Sequence, residues 1–123
     1  MKKVNLIAAI ILAIPLIILG ANYFVHFFEM PPPEESNVGL DMIMCMRDNG
    51  LMGFVAAGHL LFGVMLIIPK FRFLGALLHL PLSIGMLGFH LCMMPEGLEI
   101  VLLILVLNIL AGLDKEKLSG LIN

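Results

Sequence analysis

Charged residues are scarce in this 123-residue chain, which is 61% hydrophobic and only 13% charged. A soluble domain of this size leaves much of its surface in water and cannot bury so many apolar side chains. The sequence therefore predicts an integral membrane protein, with membrane lipid as its first partner. The net charge of −2 argues against nucleic acid as a partner, because nucleic-acid binding needs a basic face.

Acidic residues are missing from the middle of the apolar segments, and the chain has no nucleotide-binding loop or complete catalytic constellation. An ion-coupled transporter normally places a carboxylate or a broken helix within the membrane. The sequence therefore disfavours transport, and it favours a protein that is not an enzyme.

Four apolar segments are long enough to cross a bilayer, which takes about 20 helical residues. Tight turns at Pro69 and at Pro95 join three of them as antiparallel neighbours. The predicted fold is an all-α membrane protein of one domain, an antiparallel bundle of four transmembrane helices. The helices are expected at about 4–28, 51–68, 71–94 and 98–113.

The region between the first two segments, 29–50, is the only sizeable loop. It begins with a stiff run of prolines and continues with the largely apolar stretch "VGLDMIMCM". That stretch predicts a short helix over 38–46 that lies in the membrane interface or dips back into the bundle.

Basic residues are distributed unequally between the two sides of the predicted bundle. One side has Arg47 alone. Because basic loops stay in the cytoplasm, both termini are predicted to be cytoplasmic and the 29–50 loop to lie outside. The cytoplasmic side holds the other six basic residues: Lys2, Lys3, Lys70, Arg72, Lys115 and Lys117.

Four histidines are the candidate functional residues. His59 and His79 lie about equally far from the turn at Pro69, roughly 15 Å along their helices, and so near mid-membrane. His26 and His90 both fall at the outer ends of their helices. An imidazole facing lipid is unfavourable, so all four are expected to point into the bundle or towards a partner.

Several readings of these histidines remain open. The pair His59 and His79 has the placement needed to ligate a haem between two helices, to hold a quinone head group by hydrogen bonds, or to relay a proton. The alternative is structural: the histidines bond to one another, to Asn22, to Ser83 or to backbone carbonyls.

The outer end of the third segment, "GFHLCMMPEG", adds soft metal ligands. His90, Cys92 and Met93 are a candidate copper(I) site, because thiolate and thioether sulfur favour that ion. Cys92 and Cys45 are both predicted on the oxidising side of the membrane, where they are candidates for a disulfide. Methionine in so apolar a chain is also ordinary packing material.

Two stretches resemble the DoxX-like family of small four-helix bacterial membrane proteins: "LGANYFVHFFEMPPPEE" (19–35) and "GLMGFVAAGHLLFGVMLIIPKFRFLGALLHLPLSIGMLGFHLCMMPEG" (50–97). The resemblance implies a bacterial inner-membrane location and gives weight to His26 and His90, which stand where the family tends to have histidine. It also implies a role near membrane redox complexes, since relatives are linked to quinone-dependent sulfur oxidation.

The expected function is that of a small accessory or structural subunit of a larger membrane complex, in contact with other subunits or with further copies of itself. The chain has hardly any mass outside its apolar segments. The alternatives are a quinone- or haem-binding redox protein that uses His59 and His79, and an outer-face copper(I)-binding protein.

Overall fold

The computed structural model describes residues 2–26 and 38–122, and within them helices joined by short turns are the only regular secondary structure. Helices form because leucine, isoleucine, methionine and alanine dominate each segment, and prolines or glycines separate several of them. In chain order the helices are α1 (Lys2–Val25), α2 (Val38–Asp48), α3 (Leu51–Ile67), α4 (Arg72–Cys92), α5 (Leu98–Ala111) and α6 (Lys115–Ile122).

Helices α1, α3, α4 and α5 lie in the four apolar segments, and α2 lies in the segment expected to form a short interfacial helix. α1 ends at Val25, and His26 follows with a φ of 57° in the left-handed region. The predicted end of this helix at residue 28 falls outside the described residues, as does the proline run. The charged tail contains a further helix, α6, which the sequence reading did not anticipate.

Two of these helices, α1 and α4, are long and apolar enough to cross a membrane by themselves. A third candidate span is the pair α2 and α3, which together pass the same test but are bent by 88° where they meet. α5 is apolar but only 14 residues long. The described residues thus contain two or three candidate membrane spans.

Four helices form the body of the fold. α1 packs against α3 and α5, and α4 packs against the same two helices, so α1 and α4 stand opposite each other. The core is dominated by the face of α1 that presents small side chains, which lets the neighbouring backbones approach closely. The buried residues of this core, drawn from all four helices, are Ala8, Ala9, Leu12, Ala13, Leu16, Leu66, Ala76 and Ala111.

Close backbone contact joins α1 to α3. A Cβ atom placed on Gly20 would lie 2.8 Å from the carbonyl oxygen of Ala56, and one on Gly63 would lie 2.9 Å from the side chain of Ile17. Residue numbers rise along α1 as they fall along α3 at these contacts. Small residues are what allow apolar helices to pack this tightly, since dispersion contacts grow as the backbones approach.

Near the N-terminus of α1, two polar side chains form hydrogen bonds to backbone carbonyls at the ends of α5 and α3. The amide of Asn5 donates to the carbonyl oxygens of Leu110 and Leu113, which lie at and just beyond the end of α5. Arg72 donates from Nε to the carbonyl of Leu66 at 3.0 Å and from Nη2 to that of Ile67 at 3.4 Å. These bonds satisfy carbonyls that a helix end leaves without an intrahelical partner.

Candidate functional site

His59 and His79 face each other between α3 and α4. Nδ1 of His59 lies 3.0 Å from Nε2 of His79, a hydrogen-bond distance, and the ring centroids are 5.1 Å apart. The two helices are joined by a turn of only a few residues, so equal distances from that turn bring the rings to one level. His79 is fully buried and His59 is half-buried.

Asn108 of α5 is a buried partner of this pair that the sequence reading missed. Its Oδ1 lies 2.8 Å from Nδ1 of His79 and 2.6 Å from Oγ of Ser83, and its Nδ2 donates to the carbonyl of Ala76 at 2.8 Å. The sequence predicts Ser83 only as one of several possible hydrogen-bond partners of the histidines. One signal was available: Asn108 is the sole polar residue between Glu99 and the end of α5.

The hydrogen-bond donors and acceptors of this network can be assigned in one direction. The carbonyl of Ala76 can only accept, so the Asn108 amide must turn its NH₂ group towards it and its oxygen towards His79 and Ser83. Nδ1 of His79 therefore carries a proton and donates to that oxygen. Nε2 of neutral His79 is then an acceptor, and Nδ1 of His59 must donate to it.

The same reasoning leaves Nε2 of His59 as a hydrogen-bond acceptor. No described residue bonds to this nitrogen, and no fully buried side-chain nitrogen or oxygen of the described residues lacks a partner. Nε2 must therefore reach accessible surface. His59 also lines a cavity, and we infer that Nε2 is exposed to it.

This cavity has a volume of about 460 Å³ and lies between α2, α3 and α4. Such a volume is in the range of pockets that hold small organic molecules. Four of its lining residues are methionines, whose flexible side chains adapt to irregular apolar shapes. The lining residues are Met42, Ile43, Met46, Met52, Val55, His59, Pro81, Leu82, Gly85, Met86, Phe89 and His90.

His90 lines the outer part of the same cavity but has a structural role as well. Its Nδ1 donates to the carbonyl oxygens of Met94 at 2.9 Å and Glu96 at 2.8 Å, and so holds the turn between α4 and α5. The ring also packs on Gly97, which has a φ of 85°. His26, its predicted partner in depth, is exposed beyond α1 and does not line the cavity.

The contact between His59 and His79 tests the hypothesis that this pair ligates a haem between two helices. Two axial ligands bind iron from opposite faces of a porphyrin, so their rings must stand apart with the macrocycle between them. Here the rings are hydrogen-bonded to each other, and the second nitrogen of His79 is already bonded to Asn108. This arrangement has no room for a porphyrin, and it disfavours haem at this pair.

The cysteines, histidines and acidic residues of the described chain form no metal-binding cluster. No group of three or more histidine, cysteine or acidic side chains with metal-ligand spacing occurs among the described residues. Cys45 and Cys92 are both exposed and have free thiols, so the disulfide considered from the sequence is not formed in this structure. The copper(I) site at His90, Cys92 and Met93 stays a prediction.

Comparison with known proteins identifies no relative: no protein-family model, curated protein or solved structure matches the chain. The resemblance to the DoxX-like family therefore stays a prediction.

Proposed function

We propose that the chain is a four-span membrane protein with α1, α3, α4 and α5 crossing the bilayer and both termini in the cytoplasm. The supporting observations are the mean hydropathy of +1.10 and the six basic residues of the predicted cytoplasmic side. α5 is short for a span, at about 21 Å of helix rise, and a short span is accommodated by local thinning of the bilayer. The location that the family resemblance implies is the bacterial inner membrane.

Cysteine labelling tests this orientation. In a Cys92→Ser background, Cys45 on exposed α2 should react with a membrane-impermeant maleimide in intact spheroplasts. A Lys115→Cys variant without the native cysteines should react only after lysis, because α6 is proposed to be cytoplasmic. The reverse order of labelling would contradict the orientation, and labelling of both sites before lysis would contradict a sealed four-span topology.

We further propose that the protein binds a small lipophilic molecule bearing a hydroxyl group, of the quinol or phenol type, in the 460 Å³ cavity. The observation that carries this proposal is the fixed acceptor at the cavity wall, Nε2 of His59. An apolar lining gives affinity for a lipophilic body, and a single well-placed polar group gives orientation.

The direction of the hydrogen bond narrows the ligand class. Nε2 of His59 accepts, so it favours a ligand that presents an O–H group over one that presents only carbonyl oxygens. An oxidised quinone has no such donor, whereas its reduced form has two. The network behind His59 resists reversal because the carbonyl of Ala76 fixes the Asn108 amide.

Binding of three matched probes tests this function. Decylubiquinol, decylubiquinone and the dimethyl ether of decylubiquinol share one apolar body, but only the first has O–H donors. The purified protein should bind the quinol about 3- to 10-fold more tightly than the other two, the value of one net hydrogen bond. Equilibrium dialysis under reducing or oxidising conditions gives the three dissociation constants.

Two variants assign that preference to a residue. His59→Leu should bind all three probes alike, because the acceptor is gone. Met52→Leu changes the cavity wall without touching the network, and it should keep the preference for the quinol. Equal binding of the three probes by the unmodified protein, or an unchanged preference in His59→Leu, would refute the proposed site.

We also propose that the chain is an accessory or structural subunit of a larger membrane complex, and the family resemblance favours a redox complex. It is supported by how little of the described chain lies outside the helices. A ligand-binding bundle is compatible with such a role, since a subunit can hold the lipophilic molecule on which a partner acts.

A further inference from the structure

A polar crevice lies at the end of the bundle opposite α2. It has a volume of about 200 Å³ and forms where α1 begins, α4 begins and α5 gives way to α6. The side chains that define its chemistry are Lys2, Asn5, Arg72, Phe73, Asp114 and Lys117. Unlike the cavity at His59, this crevice is lined mainly by polar groups.

Positive charge dominates the crevice. Lys2, Arg72 and Lys117 contribute three cations from three different helices, and Asp114 contributes the one carboxylate. That carboxylate caps the start of α6, where its Oδ1 accepts a hydrogen bond of 3.1 Å from the backbone N–H of Lys117, and the three cations still outnumber it. An anion entering here would meet an excess of donors.

Two of the three cations, Arg72 and Lys117, are held by contacts that leave donor groups available. Arg72 bonds to backbone carbonyls through Nε and Nη2, and none of the described residues bonds to its Nη1. The ammonium of Lys117 lies 5.7 Å from the centre of the Phe73 ring, a cation–π distance. Fixed positions reduce the ordering cost of binding an anion.

The surroundings of the crevice suit a lipid better than a free ion. Phe71 and Leu74 flank the two crevice residues of α4, and both are exposed. Exposed apolar side chains at this end of α4 are suited to contact the acyl chains of a lipid whose headgroup enters the crevice. Basic pockets between membrane helices on the cytoplasmic side are a known type of site for anionic lipid headgroups.

We propose that this crevice binds the phosphate group of an anionic phospholipid. The phosphate oxygens would accept hydrogen bonds from Lys2, Arg72 and Lys117, and the acyl chains would follow the exposed surface beside α4. The proposal depends on the chain residing in a bilayer, but it does not depend on the ligand of the His59 cavity.

Thermal unfolding in detergent, with dioleoylphosphatidylglycerol or dioleoylphosphatidylcholine added, tests the proposal. The unmodified protein should be stabilised at lower concentrations of phosphatidylglycerol than of phosphatidylcholine. A Lys2→Gln, Lys117→Gln double variant should need about 30-fold more phosphatidylglycerol, about fivefold for each charge near the membrane surface. Its response to phosphatidylcholine should not change.

The matched control removes two other charges from the same side of the protein. Lys70 and Lys115 do not line the crevice, so Lys70→Gln, Lys115→Gln should change the phosphatidylglycerol dependence less than threefold. The charge-preserving pair Lys2→Arg, Lys117→Arg should retain the lipid preference. All variants should keep the quinol preference, which separates this test from that of the His59 cavity.

Three outcomes would overturn the proposal. The first is equal stabilisation of the unmodified protein by the two lipids. The second is an equal loss in both glutamine double variants, which would indicate diffuse attraction to the whole basic surface. The third is stabilisation by inorganic phosphate as strong as that by phosphatidylglycerol, which would assign the crevice to a free anion.

Discussion

Replacement of Asn108 by leucine is expected to lower the free energy of unfolding by about 2–4 kcal/mol. Leucine has the same number and branching of side-chain heavy atoms, so it leaves no cavity and the loss comes mainly from hydrogen bonds. It removes the Asn108 partner from three buried groups: Nδ1 of His79, Oγ of Ser83 and the carbonyl of Ala76. Nδ1 of His79 and Oγ of Ser83, 3.1 Å apart, then have only each other as partners. Each unsatisfied buried group costs about 1–3 kcal/mol in water-soluble proteins and less in membrane bundles.

Unfolding in mixed detergent micelles, followed by circular dichroism, gives this free energy. A double-mutant cycle with Ser83→Ala provides the control. Alone, Ser83→Ala should cost about 1 kcal/mol, but in the Asn108→Leu background it should cost more, because the hydroxyl, 3.1 Å from Nδ1 of His79, is then the remaining partner of that buried nitrogen. Additive losses would show that the two side chains do not act as one network.

The Gly20→Ala substitution is expected to cost about 2–3 kcal/mol, although it adds a single methyl group. The new Cβ would lie 2.8 Å from the carbonyl oxygen of Ala56 and 3.0 Å from the backbone nitrogen of Leu60. Both atoms belong to the backbone of α3 and cannot rotate away, so α1 and α3 must separate. Their separation loosens the most extensive helix contact of the bundle.

Gly88→Ala is the matched control for this prediction. It introduces the same methyl group into a helix, but no atom lies within 4 Å of the new Cβ. Its stability should stay the same or rise slightly, because alanine favours the helix more than glycine. Equal losses for the two variants in the same micelle assay would show that close approach at Gly20 is unimportant.

The histidine pair shows what the sequence can predict about such a site. Counting residues from the turn at Pro69 placed His59 and His79 at one depth, and the two rings are in contact in the structure. The count works because a short turn fixes the longitudinal alignment of two helices. The wall of the cavity formed by α2 could not be deduced this way, since nothing in the sequence specifies the 88° bend between α2 and α3.

Depth alone does not specify which helices are neighbours, and this explains what the sequence reading missed. His26 and His90 were both placed at outer helix ends, but α1 and α4 stand on opposite sides of the bundle. The sequence gives the position of Asn108 along α5, but it does not give the direction in which the side chain points around the helix axis. Its orientation towards His79 follows from packing against α4, which the sequence pattern of a uniformly apolar helix does not encode.

The hydrogen-bonded chain that begins at His59 has a consequence for the energetics of the membrane that contains it. Protons travel along such a chain only if each member can take up one proton and release another. The last members are the Asn108 amide and the Ala76 carbonyl, and neither exchanges protons in this way. Ser83, whose hydroxyl lies 3.1 Å from Nδ1 of His79, also leads only to Asn108. Proton hopping therefore ends at this amide, and in the proposed membrane setting the bundle holds polar groups at its centre without opening a leak for the proton gradient.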